Sequence, residues 1–206
     1  MSSRTARILA VLTALVVALL LSSCSSAETE DQADSAQSSQ PAITGQPAGF
    51  NADDVAFVTN MIPHHEQAIQ MSALVADRSQ NQEVITLADQ ISAAQQPEIN
   101  AMRVFLVQWN ENPQDGTEGG HGGHGAMSGM VDDAAMAKLQ SLKGPEFDTL
   151  WLQSMISHHQ GAIEMAKAEV ATGENVDVKR MAQTMIDTQQ VEIGQMNEML
   201  KGGQNG

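Results

Sequence analysis

Apolar side chains recur at helical spacing in four stretches of the chain. In the first, Phe57, Met61, His64 or His65, Ala68, Met71 and Val75 step by three or four positions and would form one stripe along a helix. The same period predicts helices over about 52–77, 81–110, 146–172 and 175–201. Strand signals are missing, with little alternation and no tyrosine. Punctuation agrees with these limits. Asn51-Ala52-Asp53-Asp54 supplies a capping residue and first-turn acids, and Pro145 with Glu146 opens the third helix. Asn112-Pro113 is expected to end the second helix, and Gly202-Gly203 the fourth. Pro63 and Pro97 fall inside the first two helices, and each is expected to kink its helix or shift its start.

The pattern is said twice. His158-His159 follows His64-His65 by 94 positions, and at that offset two blocks align without a gap. Asp54 meets Asp148, Phe57 meets Trp151, Met61 meets Met155, and Met71 meets Met165. Farther on, Gln95-Gln96 meets Gln189-Gln190, Glu98-Ile99 meets Glu192-Ile193, and Met102 meets Met196. Two copies of one helical hairpin, 51–110 and 146–201, would make an all-α four-helix bundle over 51–203. The long crossover, 111–145, holds a glycine-rich piece and an expected short helix from about Asp132 to Leu142.

Ahead of the bundle the composition changes. Arg4 and Arg7 precede an uncharged apolar run from Ile8 to Leu21, in the order of a secretory signal peptide, 1–23. The run is shorter than the roughly 20 residues of a membrane span. Leu21-Ser22-Ser23-Cys24 resembles a bacterial lipobox, and that resemblance implies cleavage before Cys24, the chain's single cysteine, with lipidation of its thiol. The expected location is therefore the outer face of the bacterial cell membrane, with the lipid as anchor. Residues 24–50 are mostly Ser, Gln, Ala, Asp and Glu, which suits a disordered tether. Without its leader the chain keeps eight basic against 25 acidic residues, a net of −17, which argues against nucleic acid as a partner.

Thirteen methionines against four phenylalanines is a biased choice of hydrophobe. Taken singly these methionines suit core packing, since methionine fills irregular gaps. An exported protein cannot easily keep a thiol reduced, however, so the thioether is the soft metal ligand left to it. Neighbouring helical residues point about 100° apart, so one histidine of each pair can face the bundle while the other flanks it. Met61 lies within one turn of both His64 and His65, as Met155 does of His158 and His159. Imidazole with thioether suits copper, above all copper(I), better than calcium or magnesium, although another transition metal remains open. The candidate ligands are Met61, His64, His65, Met71, Met155, His158, His159 and Met165.

The crossover adds "HGGHGAMSGM", in which His121, His124, Met127 and Met130 are each three positions from the next. It reads either as a plain flexible linker or as a loop that orders when copper binds. Asp54, Asp148, Glu98 and Glu192 also recur. They are candidates to support the ligands from outside, against a plainer reading as helix-start charges and a polar layer with Gln95 and Gln189. Ferritin-like di-metal sites use Glu-x-x-His, which neither hairpin contains.

The stretches "DVAFVTNMIPHHEQAIQMS" and "DTLWLQSMISHHQGAIEMA", each followed by a Gln-x-x-Glu-Ile-x-x-Met segment, resemble the domain-of-unknown-function family 305 from residue 53 to about 200. The resemblance implies a ferritin-like bundle, export from bacteria and, for some members, periplasmic copper binding linked to copper resistance. The expected function is thus an extracytoplasmic copper-binding lipoprotein that scavenges, buffers or confers resistance, without enzymatic activity. A ferritin-like metal-dependent oxidoreductase and a metal-free sensor or interaction domain are the alternatives.

Overall fold

Asn51 starts the folded helices by satisfying backbone donors that a helix start leaves free. Its side chain accepts from Asp53 N and Asp54 N, and Asp54 Oδ2 accepts from Asn51 N in return. The computed structural model describes residues 48–111 and 128–203. Helix α1 spans Ala52–Ala73 and passes into a single 3-10 turn, Val75–Asp77; α2 spans Gln82–Trp109. After the crossover come α3, Asp133–Ser141, then α4, Gly144–Thr172, and α5, Val176–Gly203. The described residues are thus an all-α bundle of four long helices and one short one. None of these helices is long and apolar enough to cross a membrane.

Some limits differ from the expected ones. Pro63 and Pro97 lie inside unbroken helices, and neither shifts a helix start. Each removes one backbone donor, and packing of the surrounding apolar stripe holds the helix through it. Helix α2 ends before Asn112-Pro113, because Asn110 takes the left-handed conformation at φ 57° and closes the helix there. Residues 48–50, at the end of the expected tether, make contacts with the bundle. Phe50 stacks on Trp109 with ring centroids 4.7 Å apart, and Gly49 O accepts from Asn175 Nδ2 at 3.1 Å.

Each hairpin closes on itself, α1 with α2 and α4 with α5, and the two hairpins meet mainly through α1 and α4. These central helices run antiparallel and bury two apolar clusters. In one, Phe57, Val58, Met61 and Ile62 of α1 pack with Ala162, Ile163 and Ala166 of α4. In the other, Ala68, Met71 and Val75 pack with Phe147, Trp151 and Met155, and Trp151 Nε1 donates to Met71 O at 3.0 Å. The histidine pairs fall between the clusters on both helices, where the two repeats cross.

Candidate metal centre

All four histidines of the two pairs are buried, none more than 1% exposed. The two of a pair therefore do not divide into one facing inward and one flanking. They face different partners inside the bundle. His64 and His158, counterparts in the repeat, meet across the α1–α4 contact with ring centroids 3.8 Å apart and planes tilted by 42°. His65 turns into its own hairpin, where its Nε2 lies 2.8 Å from Glu98 Oε2. His159 does the same with Glu192 at 2.7 Å. The internal repeat thus survives as a two-fold arrangement of side chains, with the His64–His158 contact at its centre.

The nitrogens left over are the chemically informative ones. Nδ1 of His64, His65, His158 and His159, and Nε2 of His158, are buried without a well-formed hydrogen bond among the described residues. A buried polar atom without a partner is uncommon and costs stability. His64 Nε2 instead lies 3.1 Å from the carbonyl oxygen of Ser128, in the segment that leads out of the crossover. Burial, together with the charges of neighbouring histidines, lowers the His64 pKa to about 4, although the Ser128 contact opposes the shift. His158 is lowered to about 2, by burial first and then by His64, His159 and His65. Both rings are neutral at ordinary pH, the form in which imidazole binds a metal.

Soft sulfur lies close by along the chain. Met61 and Met155 are fully buried one turn before the histidines, each in a different apolar cluster. Met71 and Met165 are about two turns beyond, Met71 fully buried and Met165 partly so. The structure thus brings His64 and His158 together, with methionines of the apolar clusters one to two turns away along the same helices. Among the described residues no group of three or more His, Cys, Asp or Glu side chains is arranged to hold an ion. A metal here would draw on the paired imidazoles and thioether sulfur, a donor set that fits copper(I) better than a carboxylate-seeking ion.

The four recurring acids separate. Glu98 and Glu192 contact the histidines, and Gln95 and Gln189 lie buried nearby in sequence, each with an Oε1 lacking a partner among the described residues. Asp54 sits ten residues before His64, roughly 15 Å along the helix. It accepts from Glu174 N and Asn175 N and so ties the start of α1 to the α4–α5 turn. Burial works to raise its pKa, but backbone N–H groups of Asn51, Asn175 and Glu174 outweigh it and leave the carboxyl below its ordinary value. Asp148 occupies the matching place in α4, half-buried. Of the crossover residues, Met130 is half-buried, and His121, His124 and Met127 lie outside the described residues, as does Cys24.

Sequence reading passed over several residues. Ser128, Gly161 and Gln67 lie beside the central histidines, and the signal for two of them was that Gln67 aligns with Gly161 between the matched His-His and Ala-Ile positions. Glu169, 2% exposed, has no acidic counterpart, since it aligns with Val75. Burial, then the neighbouring Asp54 carboxylate, pushes its pKa up to about 8.

The family model described as "Domain of unknown function (DUF305)" matches residues 54–200. A DUF305 protein from Streptomyces coelicolor, described as a candidate secreted protein, is 33% identical; the match covers 73% of this chain and 93% of that one, with a TM-score of 0.63. CopM in its Cu(II)-bound form is 30% identical over 72% of this chain and 96% of that one, with a TM-score of 0.62, and it has also been solved with Cu(I) and with silver. The uncharacterized protein L153 of Acanthamoeba polyphaga mimivirus is 41% identical over 54 residues, which are 26% of this chain and 36% of that protein. The chain therefore spans about a third of the length of that viral relative.

Proposed function

The chain belongs to the DUF305 family, and from that premise we propose that it is an exported copper-binding protein that captures, buffers or carries copper(I) through the histidine layer between its two repeats. The observation that carries this reading is the His64–His158 pair, two neutral imidazoles with ring centroids 3.8 Å apart in the middle of the bundle, with His64 Nδ1 and both His158 nitrogens lacking a well-formed hydrogen bond among the described residues. His65 and His159, held by Glu98 and Glu192, flank it. Met61, Met155, Met71 and Met165 supply the thioethers. Copper is cargo on this reading. CopM, solved with Cu(I), Cu(II) and silver, supports the choice of a soft metal.

The proposal includes a signal peptide over 1–23, lipidation at Cys24, a tether over 24–50 and the bundle domain over 51–203, with the His121, His124, Met127, Met130 run as an accessory capture site. Anaerobic titration of the full-length protein with copper(I) against a competing chelator tests the binding. Failure to compete at any stoichiometry would remove the reading. The location is tested by Cys24→Ser, which should abolish lipidation and block the usual processing at that residue, read by membrane fractionation with mass spectrometry of the N-terminus.

The two His–Glu contacts favour a second reading, a ferritin-like metal-dependent oxidoreductase. It requires turnover. Sustained oxygen uptake with excess iron(II) or copper(I) in air would support it, whereas uptake limited to the amount of protein present supports the carrier.

A further inference from the structure

The segment from Ser128 to Val131 leaves the crossover and lies as a strap against α1 and α4. Ser128 Oγ donates to Glu164 Oε2 at 2.6 Å. Gln67 grips the main chain of Val131 on both sides, donating to its carbonyl and accepting from its N–H, each at 2.8 Å. Ser128 O faces His64 Nε2 at 3.1 Å. Beneath the strap is Gly161. A Cβ there would collide with the Ser128 carbonyl oxygen and stand 2.7 Å from Gly129 Cα. Gly129 itself has φ 81°, in the left-handed region, and a Cβ on it would come within 2.9 Å of both Gly161 Cα and His158 O. Strap and helix therefore touch backbone to backbone beside His158, an approach open only to residues without side chains.

The seat is built where the repeat breaks. Gly161 is the counterpart of Gln67, and Glu164 of Gln70, in blocks that otherwise keep their His, Ala, Ile and Met positions. In α1 the position carries an amide that holds the strap. In α4 it carries nothing, so the strap can lie on it. A chain built from two identical hairpins would lack either the grip or the room.

We propose that the Ser128–Val131 strap is the positioning element of the central histidine pair: the Ser128 carbonyl fixes His64 as its Nε2–H tautomer, which commits the Nδ1 lone pair to metal, and Gly161 is the residue that lets the strap sit close enough to do so. A carbonyl oxygen only accepts, so His64 Nε2 must carry the proton in this contact. A neutral imidazole has one N–H, which leaves Nδ1 bare, and that atom is buried without a partner among the described residues. Such outer contacts orient a ligating histidine and raise its basicity. The main-chain carbonyl thus does for His64 what Glu98 and Glu192 do for His65 and His159. His158 has no side-chain or strap partner of this kind among the described residues, only a weak contact with the His64 main chain that slightly opposes its lowered pKa.

The tautomer part stands without metal, while its consequence for affinity rests on the copper reading above. The test uses the full-length protein and two variants, Gly161→Ala, which puts a methyl under the strap, and Gln67→Ala, which removes the Val131 grip without touching the core. Nitrogen-15 long-range correlation spectra of the imidazoles report which nitrogen carries the proton, and copper(I) competition reports affinity. In the parent protein His64 should show a protonated Nε2 and a bare Nδ1. In both variants it should become a tautomer mixture while His65 and His159 keep theirs, and copper(I) affinity should fall about 10- to 100-fold. A folding defect in Gly161→Ala would disturb all four rings and the helical circular dichroism, and Gln67→Ala then decides. Protonation of Nδ1 in the parent, or an unchanged His64 tautomer with unchanged affinity in Gln67→Ala, would overturn the proposal. Absence of copper(I) binding in all three proteins, with the tautomer shifting as stated, would remove the copper reading and leave the positioning of His64 intact.

Discussion

His64 and His158 hold the same place in two copies of one hairpin, and their rings meet 3.8 Å apart at the point where the copies cross. The contact makes one site out of a duplicated sequence. Each ring comes from a different repeat, and the partner that sets the environment of His64, Ser128, comes from neither. Apolar clusters on both sides exclude water, which keeps these imidazoles neutral and leaves lone pairs rather than charges at the centre.

The His–Glu contacts should behave as a matched but unequal pair. Glu192→Ala leaves the buried His159 Nε2 without its acceptor and should cost about 1–3 kcal/mol. Glu98→Ala should cost less, because the Glu98 side chain is 23% exposed against 11% for Glu192, so water can replace it more easily. Urea unfolding of the two variants gives the comparison. Equal losses would mean that exposure of the carboxylate does not grade the two contacts, and no loss in either variant would mean that the carboxylates do not act through them.

Much of this arrangement was legible in the sequence, for reasons particular residues make plain. The offset that aligns His64-His65 with His158-His159 also aligns Glu98 with Glu192, so a contact made in one hairpin had to recur in the other. Helical spacing placed Met61 and Met155 on the buried stripe with the histidines. Periodicity alone could not tell which ring crosses to the other repeat, because both histidines of a pair are buried and the choice depends on how α1 lies on α4. Nor could it find Glu169, whose counterpart is Val75 and whose partner Asp54 is far away in the chain. The seat for the strap left only a negative sign, the mismatch of Gln67 with Gly161.

Stability should vary with pH in two opposed ways. His64 and His158 have folded pKa values of about 4 and about 2 against an ordinary 6.5, so the unfolded chain takes up protons first. Their effect is a loss of stability as pH falls below about 6.5, continuing through those lower values. Glu169 has a folded value of about 8 against an ordinary 4.5, so its contribution is fully present below 4.5 and is lost as pH rises through 8. The groups facing Glu169 are Asp54, Asp53 and Lys179. Glu169→Gln should flatten the alkaline limb of the urea midpoint against pH and leave the acid limb unchanged. An alkaline limb that persists in the variant would mean that another group causes it.

Methionine as ligand and methionine as core can be separated by a swap that keeps the volume. Met61→Leu with Met155→Leu should change stability by about 1.5 kcal/mol or less at each site. If the thioethers bind copper(I), affinity should fall tenfold or more, ~1.4 kcal/mol. Competition titration paired with thermal unfolding reads both quantities. Unchanged affinity would return these residues to core packing alone.

The crossover run should matter for capacity rather than for the tightest site. Ordering a glycine-rich segment costs roughly 1–2 kcal/mol for each residue fixed, so intrinsic affinity there should be lower than at the packed helices. Changing His121, His124, Met127 and Met130 together to alanine should lower the number of copper ions bound, or slow their capture, and leave the strongest binding intact. Stoichiometric titration and stopped-flow capture test this, and loss of the strongest binding would contradict it.

The central claim is that copper is held where the two repeats cross, and His64→Ala with His158→Ala tests it most directly. Anaerobic copper(I) competition is run on the parent and the double variant, with circular dichroism on the same samples. The account predicts that the variant stays helical and loses the tightest site. A helical variant that keeps parental copper(I) affinity would contradict it.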